Sequence, residues 1–187
     1  VFGQVLPREV KIWHGLDHQN VVKFIGWTSR VCEDTLTVCL VSAWCDGGNV
    51  KEYLRNHEGA NRRRLVCDVG RGLVYLHFKH IIHGDIKPEN IVVSYAAGGG
   101  VVALLCDFGL SSILSDITTH PHISSITGTL RYAPPELFSV TSMQRNEASD
   151  IWAFGCTATE VGPPLVDPKQ FHLPKHRSSP TNSLITG

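Results

Sequence analysis

The sequence predicts an α+β fold, because it contains both strand patterns and helical patterns. Residues 21–27 and 36–41 are rich in apolar and β-branched side chains, which are typical of two strands. Residues 91–93 and 101–105 form a second such pair, joined by a glycine-rich turn that favours a hairpin. Residues 62–78 carry apolar side chains at helical spacing. The 187 residues are enough for one sizeable core or two small lobes.

Each predicted helix has a sequence feature of its own. Residues 8–16 place three apolar side chains on one helical face: Ile12, Trp13 and Leu16. Asn49 is a candidate cap for a helix that continues through Leu54. The helix at 62–78 has an apolar stripe formed by Leu65, Val69, Leu73 and Leu76. We therefore expect these helices to bury one face each against the strands.

Composition limits the classes of partner and location. The 17 basic and 17 acidic residues cancel, which gives no reason to expect a nucleic-acid partner. No run approaches the roughly 18 apolar residues of a membrane span. The six cysteines are scattered and mostly lie inside apolar runs, which favours buried, reduced thiols over a disulfide framework or a zinc site. We therefore expect a cytoplasmic protein without a nucleic-acid or membrane partner, a nuclear location being the alternative.

Two short patterns admit another interpretation. His77, His80 and His83 recur every third residue, as metal ligands can, but the first two close a helix and the third begins the motif described next. The triplet at residues 62–64 consists of three arginines and could contact nucleic acid. A short charge run on a helix is usually a solvated face, which makes that interpretation the weaker one.

Four polar residues lie between the apolar runs of the predicted hairpin region: Asp85, Lys87, Asn90 and Asp107. Asn90 enters the first strand and Asp107 leaves the second, so an antiparallel pair brings both to one end of the ribbon. There a carboxylate and an amide oxygen can share a hard cation such as Mg²⁺. Asp85 can accept a proton from a substrate hydroxyl, and Lys87 offers a point charge for a phosphate.

This segment resembles the catalytic loop of eukaryotic-type protein kinases. The resemblance rests on residues 83–90, His-Gly-Asp-Ile-Lys-Pro-Glu-Asn, and on Asp-Phe-Gly at 107–109, and it extends over about residues 8–161. It implies a two-lobed kinase fold that transfers the γ-phosphate of ATP to Ser/Thr hydroxyls of protein substrates, with ATP and Mg²⁺ as cofactors. Asp85 would be the base, Lys87 would contact the γ-phosphate, and Asn90 and Asp107 would hold Mg²⁺. The Lys-Pro-Glu-Asn order is typical of serine/threonine kinases.

The same resemblance assigns roles to other positions. Ala43 and Cys45 lie in the segment that resembles the hinge, whose backbone binds adenine, and Val92 is expected to contact the nucleotide. Glu9 matches the helix glutamate that pairs with a phosphate-anchoring lysine, or else it is a solvated charge at a helix start. Asp150 is expected to hold the backbone of the catalytic loop. The remaining structural or regulatory positions are His83, Phe108, Gly109, Thr129 and Glu136.

The hydroxyl-rich stretch from Ser111 to Thr129 resembles a kinase activation segment, and residues 134–136, Pro-Pro-Glu, resemble the element that closes it. Three residues are candidate phosphorylation sites: Ser124, Ser125 and Thr127. An unmodified flexible loop is the alternative. Gly84 stands where arginine is usual before the catalytic aspartate, so a phosphate on the segment would lack its customary partner.

The resemblance divides the chain into three parts. Residues 1–45 would be a partial N-terminal lobe with the hinge, residues 46–161 a partial C-terminal lobe, and residues 162–187 a disordered tail rich in Pro and Ser. Residues 1–7 hold one glycine and no lysine, so they contain no glycine-rich phosphate loop. Because the chain also begins with Val1, we expect a fragment that is weakly active and marginally stable.

Two other functions remain open at this point. A pseudokinase or interaction module would keep the fold without catalysis, and a small-molecule kinase would use a related fold. The four polar residues argue against the first, and the segment that resembles an activation segment argues against the second. A buried Glu136 without a basic partner would be costly unless it stayed wet.

Overall fold

The computed structural model describes residues 13–32, 35–96, 98–107, 129–138 and 145–163. Four strands and three helices make up most of this part of the chain, which confirms the α+β prediction. The strands are β1 (Phe24–Cys32), β2 (Thr35–Ser42), β3 (Ile91–Tyr95) and β4 (Val101–Leu105). The helices are α1 (Val50–Asn56), α2 (Arg62–Phe78) and α3 (Glu147–Val161). Short 3-10 turns lie at Pro88–Asn90, Thr129–Tyr132 and Pro135–Phe138.

The first hairpin pairs β1 with β2 in antiparallel register, with Trp27 opposite Leu40. The prediction of a strand at residues 21–27 is wrong in its bounds, because the strand begins at Phe24. Val21 and Val22 are buried beside β4 instead: Val21 forms a parallel bridge with Leu105, and the Val22 amide donates to the Leu105 carbonyl at 2.9 Å. Val21 and Val22 have side chains that favour a strand, but their backbone contacts are with Leu105 of β4 and not with β2.

Only the end of the first predicted helix lies among the described residues. Trp13 and His14 are helical, residues 8–12 lie outside the described part, and Gly15 and Leu16 have left the helix. Leu16 is buried in the core and Trp13 packs against it, as their spacing predicts. The Trp13 indole also donates to the Val22 carbonyl at 2.8 Å, which ties this segment to the approach to β1.

Asparagine side chains cap all three described helices. Asn49 accepts from the amide of Glu52, as predicted, and Asn61 begins α2 in the same way. Helix α3 starts at Glu147, because Asn146 and Ser149 form a reciprocal capping box there. Helix α2 has the predicted bounds, and its four stripe residues are all buried.

The second hairpin, β3–β4, lies at the centre of the core. Ile91 pairs with Leu105 in the antiparallel register, and both side chains are completely buried. The outer edge of β4 is also satisfied: the Ala103 carbonyl accepts from Asn20 at 3.0 Å, and its amide donates to Asp68 at 3.3 Å. The Asn20 carbonyl accepts the Leu105 amide at 2.9 Å. One face of this hairpin is thus completely buried, and Asn20 and Asp68 bond its outer edge.

Two surface features correct the sequence analysis. Cys39 and Cys67 are exposed, although their apolar neighbours predict burial, because each points away from the core on its strand or helix. The five cysteines whose side chains are described are free thiols. Arg62, in the arginine triplet, donates to the Val161 carbonyl at 3.0 Å and so joins the start of α2 to the end of α3. None of the described helices is both long and apolar enough to cross a membrane.

Candidate active site

Asp150 fixes the backbone of the loop before β3. Its carboxylate lies in the first turn of α3 and is 1% exposed. One oxygen accepts the His83 amide and the other accepts the Gly84 amide, each at 2.8 Å. His77 Nε2 lies 2.9 Å from the same carboxylate. The predicted brace is therefore present as geometry, since a buried charge holds two consecutive amides in place.

Gly84 has a left-handed conformation, with a φ of 77°. Glycine adopts this region without a steric penalty, whereas an L side chain is strained there. The Arg145 guanidinium donates to the Gly84 carbonyl. The peptide groups around Gly84 are therefore held from both sides, by Asp150 and by an arginine just before α3.

Asp85 presents its two carboxylate oxygens to different surroundings. Oδ2 accepts from Lys87 Nζ at 2.5 Å and from Asn90 Nδ2 at 2.9 Å. The same Asn90 amide group donates to the Asp85 carbonyl at 2.8 Å. Oδ1 is buried and has no hydrogen-bond partner among the described residues. One oxygen is thus fixed by the loop, and the other remains available as an acceptor.

The buried side chain of His83 holds the backbone of Asp85 in place. Its side chain is completely buried, and its Nδ1 accepts the Asp85 amide at 3.2 Å. Burial lowers the pKa of His83 below its ordinary value, against the opposing charges of Asp150 and Asp85. The neutral imidazole can therefore act as an acceptor that positions the Asp85 backbone.

Asn90 and Asp107 lie at the same end of the second hairpin, as predicted. The register pairs Ile91 with Leu105, and the Cys106 amide donates to the Asn90 carbonyl at 3.0 Å. Asp107 is exposed and has a φ of 56°. The described part of the chain contains no cluster of three or more His, Cys, Asp or Glu side chains that could hold a metal. Mg²⁺ fits two oxygen ligands, because water and phosphates complete its shell.

The segment after β2 is bonded to β3. The Gly47 amide donates to the Val93 carbonyl, and the Val93 amide donates to the Gly48 carbonyl, each at 2.9 Å. A Cβ on Gly47 would lie 2.7 Å from the Val93 carbonyl oxygen, so only glycine permits this approach. Asn49 forms an antiparallel bridge with Val92, which is half-buried. The predicted hinge and the predicted nucleotide contact Val92 are therefore neighbours.

Ala43 and Cys45 occupy the start of that segment. The Ala43 amide donates to the Lys23 carbonyl at 2.9 Å, and the Ala43 carbonyl accepts a weak hydrogen bond from the Cys45 thiol at 4.0 Å. Partial burial, and then the charge of Asp46, raise the pKa of the Cys45 thiol. Burial and the charge of Asp107 raise the pKa of Cys106 to about 12. Both thiols are therefore neutral near pH 7.

An open cavity of about 300 Å³, solvent at its mouth included, lies beside Asp85. Its walls come from the catalytic loop, the segment at 129–138 and the start of α3. Tyr132 and Pro134 are the buried residues on the side of the 129–138 segment. The cavity therefore brings Asp85 next to residues that lie more than forty positions later in the sequence.

The sequence of the chain was compared with models of known protein families. The model of the protein kinase domain matches residues 3–173, which is most of the chain. The chain belongs to the protein kinase family.

Three curated kinases show how far the similarity reaches. The serine/threonine-protein kinase RUNKEL of Arabidopsis thaliana is 36% identical over 184 residues, covering 95% of this chain and 13% of that protein. The dual specificity protein kinase zakA of Dictyostelium discoideum is 30% identical over 186 residues, covering 91% of this chain and 23% of that protein. Human mitogen-activated protein kinase kinase kinase 6 is 32% identical over 170 residues, covering 86% of this chain and 12% of that protein. The chain thus spans less than a quarter of each relative.

Some predicted kinase positions lie outside the described residues: Glu9, Phe108, Gly109, Ser124, Ser125 and Thr127. Thr129 is described by its backbone, which begins a 3-10 turn. Glu136 is exposed, so the cost predicted for its burial does not arise. The tail at 162–187 is described only at Gly162 and Pro163.

Sequence reasoning missed a polar cluster beside the loop. Lys51 in α1 lies 3.0 Å from Glu89 and 3.3 Å from Glu160. Tyr132 donates to Glu160 at 2.8 Å. No local pattern signals this cluster, because its members are separated by up to 109 positions and each is a residue type that is common on protein surfaces.

Proposed function

We propose that this chain provides the catalytic loop of an ATP-dependent protein kinase that phosphorylates Ser/Thr hydroxyls of protein substrates. The proposal rests on the different surroundings of the two carboxylate oxygens of Asp85. Lys87 and Asn90 fix Oδ2, while Oδ1 is buried without a described partner in a residue that lines an open cavity. A buried acceptor of this kind suits a substrate hydroxyl, which would donate to it.

In the proposed reaction, Asp85 Oδ1 orients the hydroxyl of the substrate and accepts its proton. The hydroxyl oxygen then forms a bond to the γ-phosphorus of ATP, the bond from that phosphorus to the bridging oxygen breaks, and ADP leaves with the electron pair. Lys87 is close enough to place its ammonium against the transferred phosphoryl group. Catalysis here depends mainly on positioning and on neutralised charge.

The nucleotide would lie between the segment after β2 and the end of the β3–β4 hairpin. Ala43 offers a carbonyl and Cys45 a backbone group for the adenine, with Val92 against the ring. Asn90 and Asp107 would hold Mg²⁺, because their oxygens are hard ligands at one end of the hairpin. When bound, the cation supplies neutralisation of the phosphate charge.

Two observations support the finer parts of the proposal. The Lys-Pro-Glu-Asn order of the loop and the name of RUNKEL, a serine/threonine-protein kinase, favour Ser/Thr specificity, whereas zakA is named a dual specificity kinase. The free thiols favour an intracellular location, for which we propose the cytoplasm. The three relatives have different names, and each extends far beyond the region that matches this chain. The Ser/Thr protein substrate of the whole protein is therefore proposed here.

The test compares the unmodified chain with Asp85→Asn and Asp107→Ala. Transfer of labelled phosphate from Mg-ATP to a Ser/Thr peptide library should fall about 10²- to 10⁴-fold in Asp85→Asn, because the general base is lost. Thermal stabilisation by Mg-ATP should persist in Asp85→Asn and disappear in Asp107→Ala. Transfer by Asp85→Asn at the rate of the unmodified chain would refute the assignment of the base.

The alternative function is an interaction module that keeps the kinase fold. The same experiment separates the two functions. The interaction module would be supported if the chain bound Mg-ATP without transferring phosphate, or if it neither bound Mg-ATP nor transferred phosphate. Transfer that depends on Asp85 would support the enzyme.

A further inference from the structure

A cluster of charged side chains joins three elements around the catalytic loop. Lys51 of α1 donates to Glu89 at 3.0 Å and lies 3.3 Å from Glu160 of α3. Glu89 belongs to the same short turn as Asn90, whose side chain contacts Asp85. One ammonium group thus connects the turn that carries Asn90 to two separate helices.

Glu160 is the hub of this cluster. Its Oε1 faces Lys51, and its Oε2 accepts the Tyr132 hydroxyl at 2.8 Å and lies 3.7 Å from Arg131. Burial alone would raise the pKa of Glu160, but the hydrogen bonds from Tyr132 and Lys51 and the charges of Lys51 and Arg131 hold that pKa below its ordinary value. The charged form of Glu160 is therefore the one that this surrounding stabilises.

Tyr132 connects the hub to the cavity. Its ring is buried, lines the cavity beside Asp85, and ends the 3-10 turn at Thr129–Tyr132. A continuous chain of contacts therefore runs from Tyr132 through Glu160 and Lys51 to Glu89. This chain links the segment that precedes Pro134 to the catalytic loop.

We infer that Lys51 is a positioning residue, which couples the 129–132 segment to the catalytic loop by holding Glu89 and Glu160 together. The inference rests on the proposed function, since it concerns the placement of Asn90 and Asp85. Arginine at position 84 would offer a phosphate-dependent link between these two parts of the chain. Gly84 lacks that side chain, and the Lys51 link needs no phosphate.

Charge explains why Lys51 is needed. Glu89 and Glu160 are two carboxylates that approach the same ammonium, and without it they would repel each other. Repulsion would displace the Pro88–Asn90 turn from α3, because Glu89 lies in that turn and Glu160 is anchored by Tyr132. The nearest backbone probe is the Asn90 amide, which donates to the Lys87 carbonyl at 3.0 Å.

The experiment compares Lys51→Met with Arg55→Met, which removes a positive charge from the same helix without touching the cluster. Amide hydrogen exchange at Asn90 should be about threefold to tenfold faster in Lys51→Met and unchanged in Arg55→Met. Lys51→Arg should keep the slow exchange. Adding Glu89→Gln to Lys51→Met should restore it, because one of the two repelling charges is removed.

Phosphate transfer provides a second readout. In the transfer assay, Lys51→Met should lower the turnover by a similar factor.

The outcomes separate this inference from the proposed function. Equal exchange at Asn90 in Lys51→Met and Arg55→Met would overturn the positioning role, and so would the absence of rescue by Glu89→Gln. A chain that shows the exchange effects but transfers no phosphate would retain the coupling and refute the proposed catalysis.

Discussion

The β1–β2 hairpin has the longer strands, of nine and eight residues, yet the β3–β4 hairpin, with five residues in each strand, is the one that lies in the core. Trp27 of β1 is 53% exposed, whereas Leu105 of β4 is 0% exposed. Strand length sets the number of ladder hydrogen bonds, whose net contribution is small because water competes for the same groups. Burial of apolar side chains distinguishes the two hairpins more strongly.

The edges of the two hairpins also differ. Asn20 and Asp68 bond to outer backbone groups of β4, so the short hairpin is held on its buried face and along that edge. Asn90 and Asp107 flank this hairpin and take their positions from it. The comparison indicates that the candidate metal ligands are attached to the most constrained strands that the structure describes.

The largest expected effect comes from the same truncation in each hairpin. Leu105→Ala should lower the free energy of unfolding by about 2–5 kcal/mol, because it opens a cavity at a fully buried site. Leu40→Ala should cost less than about 1.5 kcal/mol, since Leu40 is only half-buried. Urea denaturation of the two variants measures both values. Equal losses would contradict the assignment of the core to β3–β4.

The edge of β4 gives the next effect. Asp68→Ala should lower the free energy of unfolding by about 1–3 kcal/mol, because the buried Ala103 amide loses its acceptor. Thr37→Ala, at an exposed position of β2, is the control and should stay within about 0.5 kcal/mol of the unmodified chain. The Ala103 amide should also exchange its hydrogen faster in Asp68→Ala. An unchanged exchange rate would show that Asp68 does not protect this edge.

The sequence predicted the second hairpin, α2 and the order of the catalytic loop, because local patterns specify them. Apolar spacing defines the stripe of α2, and the glycine-rich turn at 96–100 defines the register of β3 with β4. The brace by Asp150 followed from the family resemblance. It could not be obtained from spacing alone, since Asp150 is 66 positions from Gly84.

Other features depend on contacts that no local pattern encodes. Val21 and Val22 favour a strand, but their partner is Leu105, so β1 begins later than predicted. Cys39 lies in an apolar run and is nevertheless exposed, because the covering of a sheet face is a property of the whole fold. The Lys51 cluster joins four elements that are distant in sequence.

Thiol chemistry gives a third comparison of the hairpins. Cys39 lies exposed in β2, whereas Cys106 follows β4 and has its pKa raised to about 12 by burial and the charge of Asp107. Iodoacetamide reacts with thiolates, so Cys106 should be modified at least about tenfold more slowly than Cys39 at pH 8. Mass spectrometry of peptides from partly labelled chain measures both rates. Faster labelling of Cys106 would show that the end of the short hairpin is open to solvent.

Acid should weaken the short hairpin through His83, and this is the smallest effect. Burial lowers the pKa of His83 below its ordinary value of 6.5, so below that pH the unfolded chain binds a proton that the folded chain excludes. The free energy of unfolding should therefore fall as the pH falls below about 6.5, by at most about 1.4 kcal/mol per pH unit for one histidine.

The histidine effect should appear in one hairpin and not in the other. Residues 24–42 contain no histidine, so amides of β1–β2 that exchange by local opening should keep their protection between pH 7 and 5.5, after correction for intrinsic rates. Amides of β3–β4 should lose protection over the same interval, because they exchange through global unfolding.

His83→Asn should remove the pH dependence, and the exposed His80→Asn should preserve it. If His83→Asn does not fold, NMR titration of the unmodified chain decides: an imidazole that titrates near its ordinary pKa would contradict the buried, neutral His83 on which the placement of Asp85 depends.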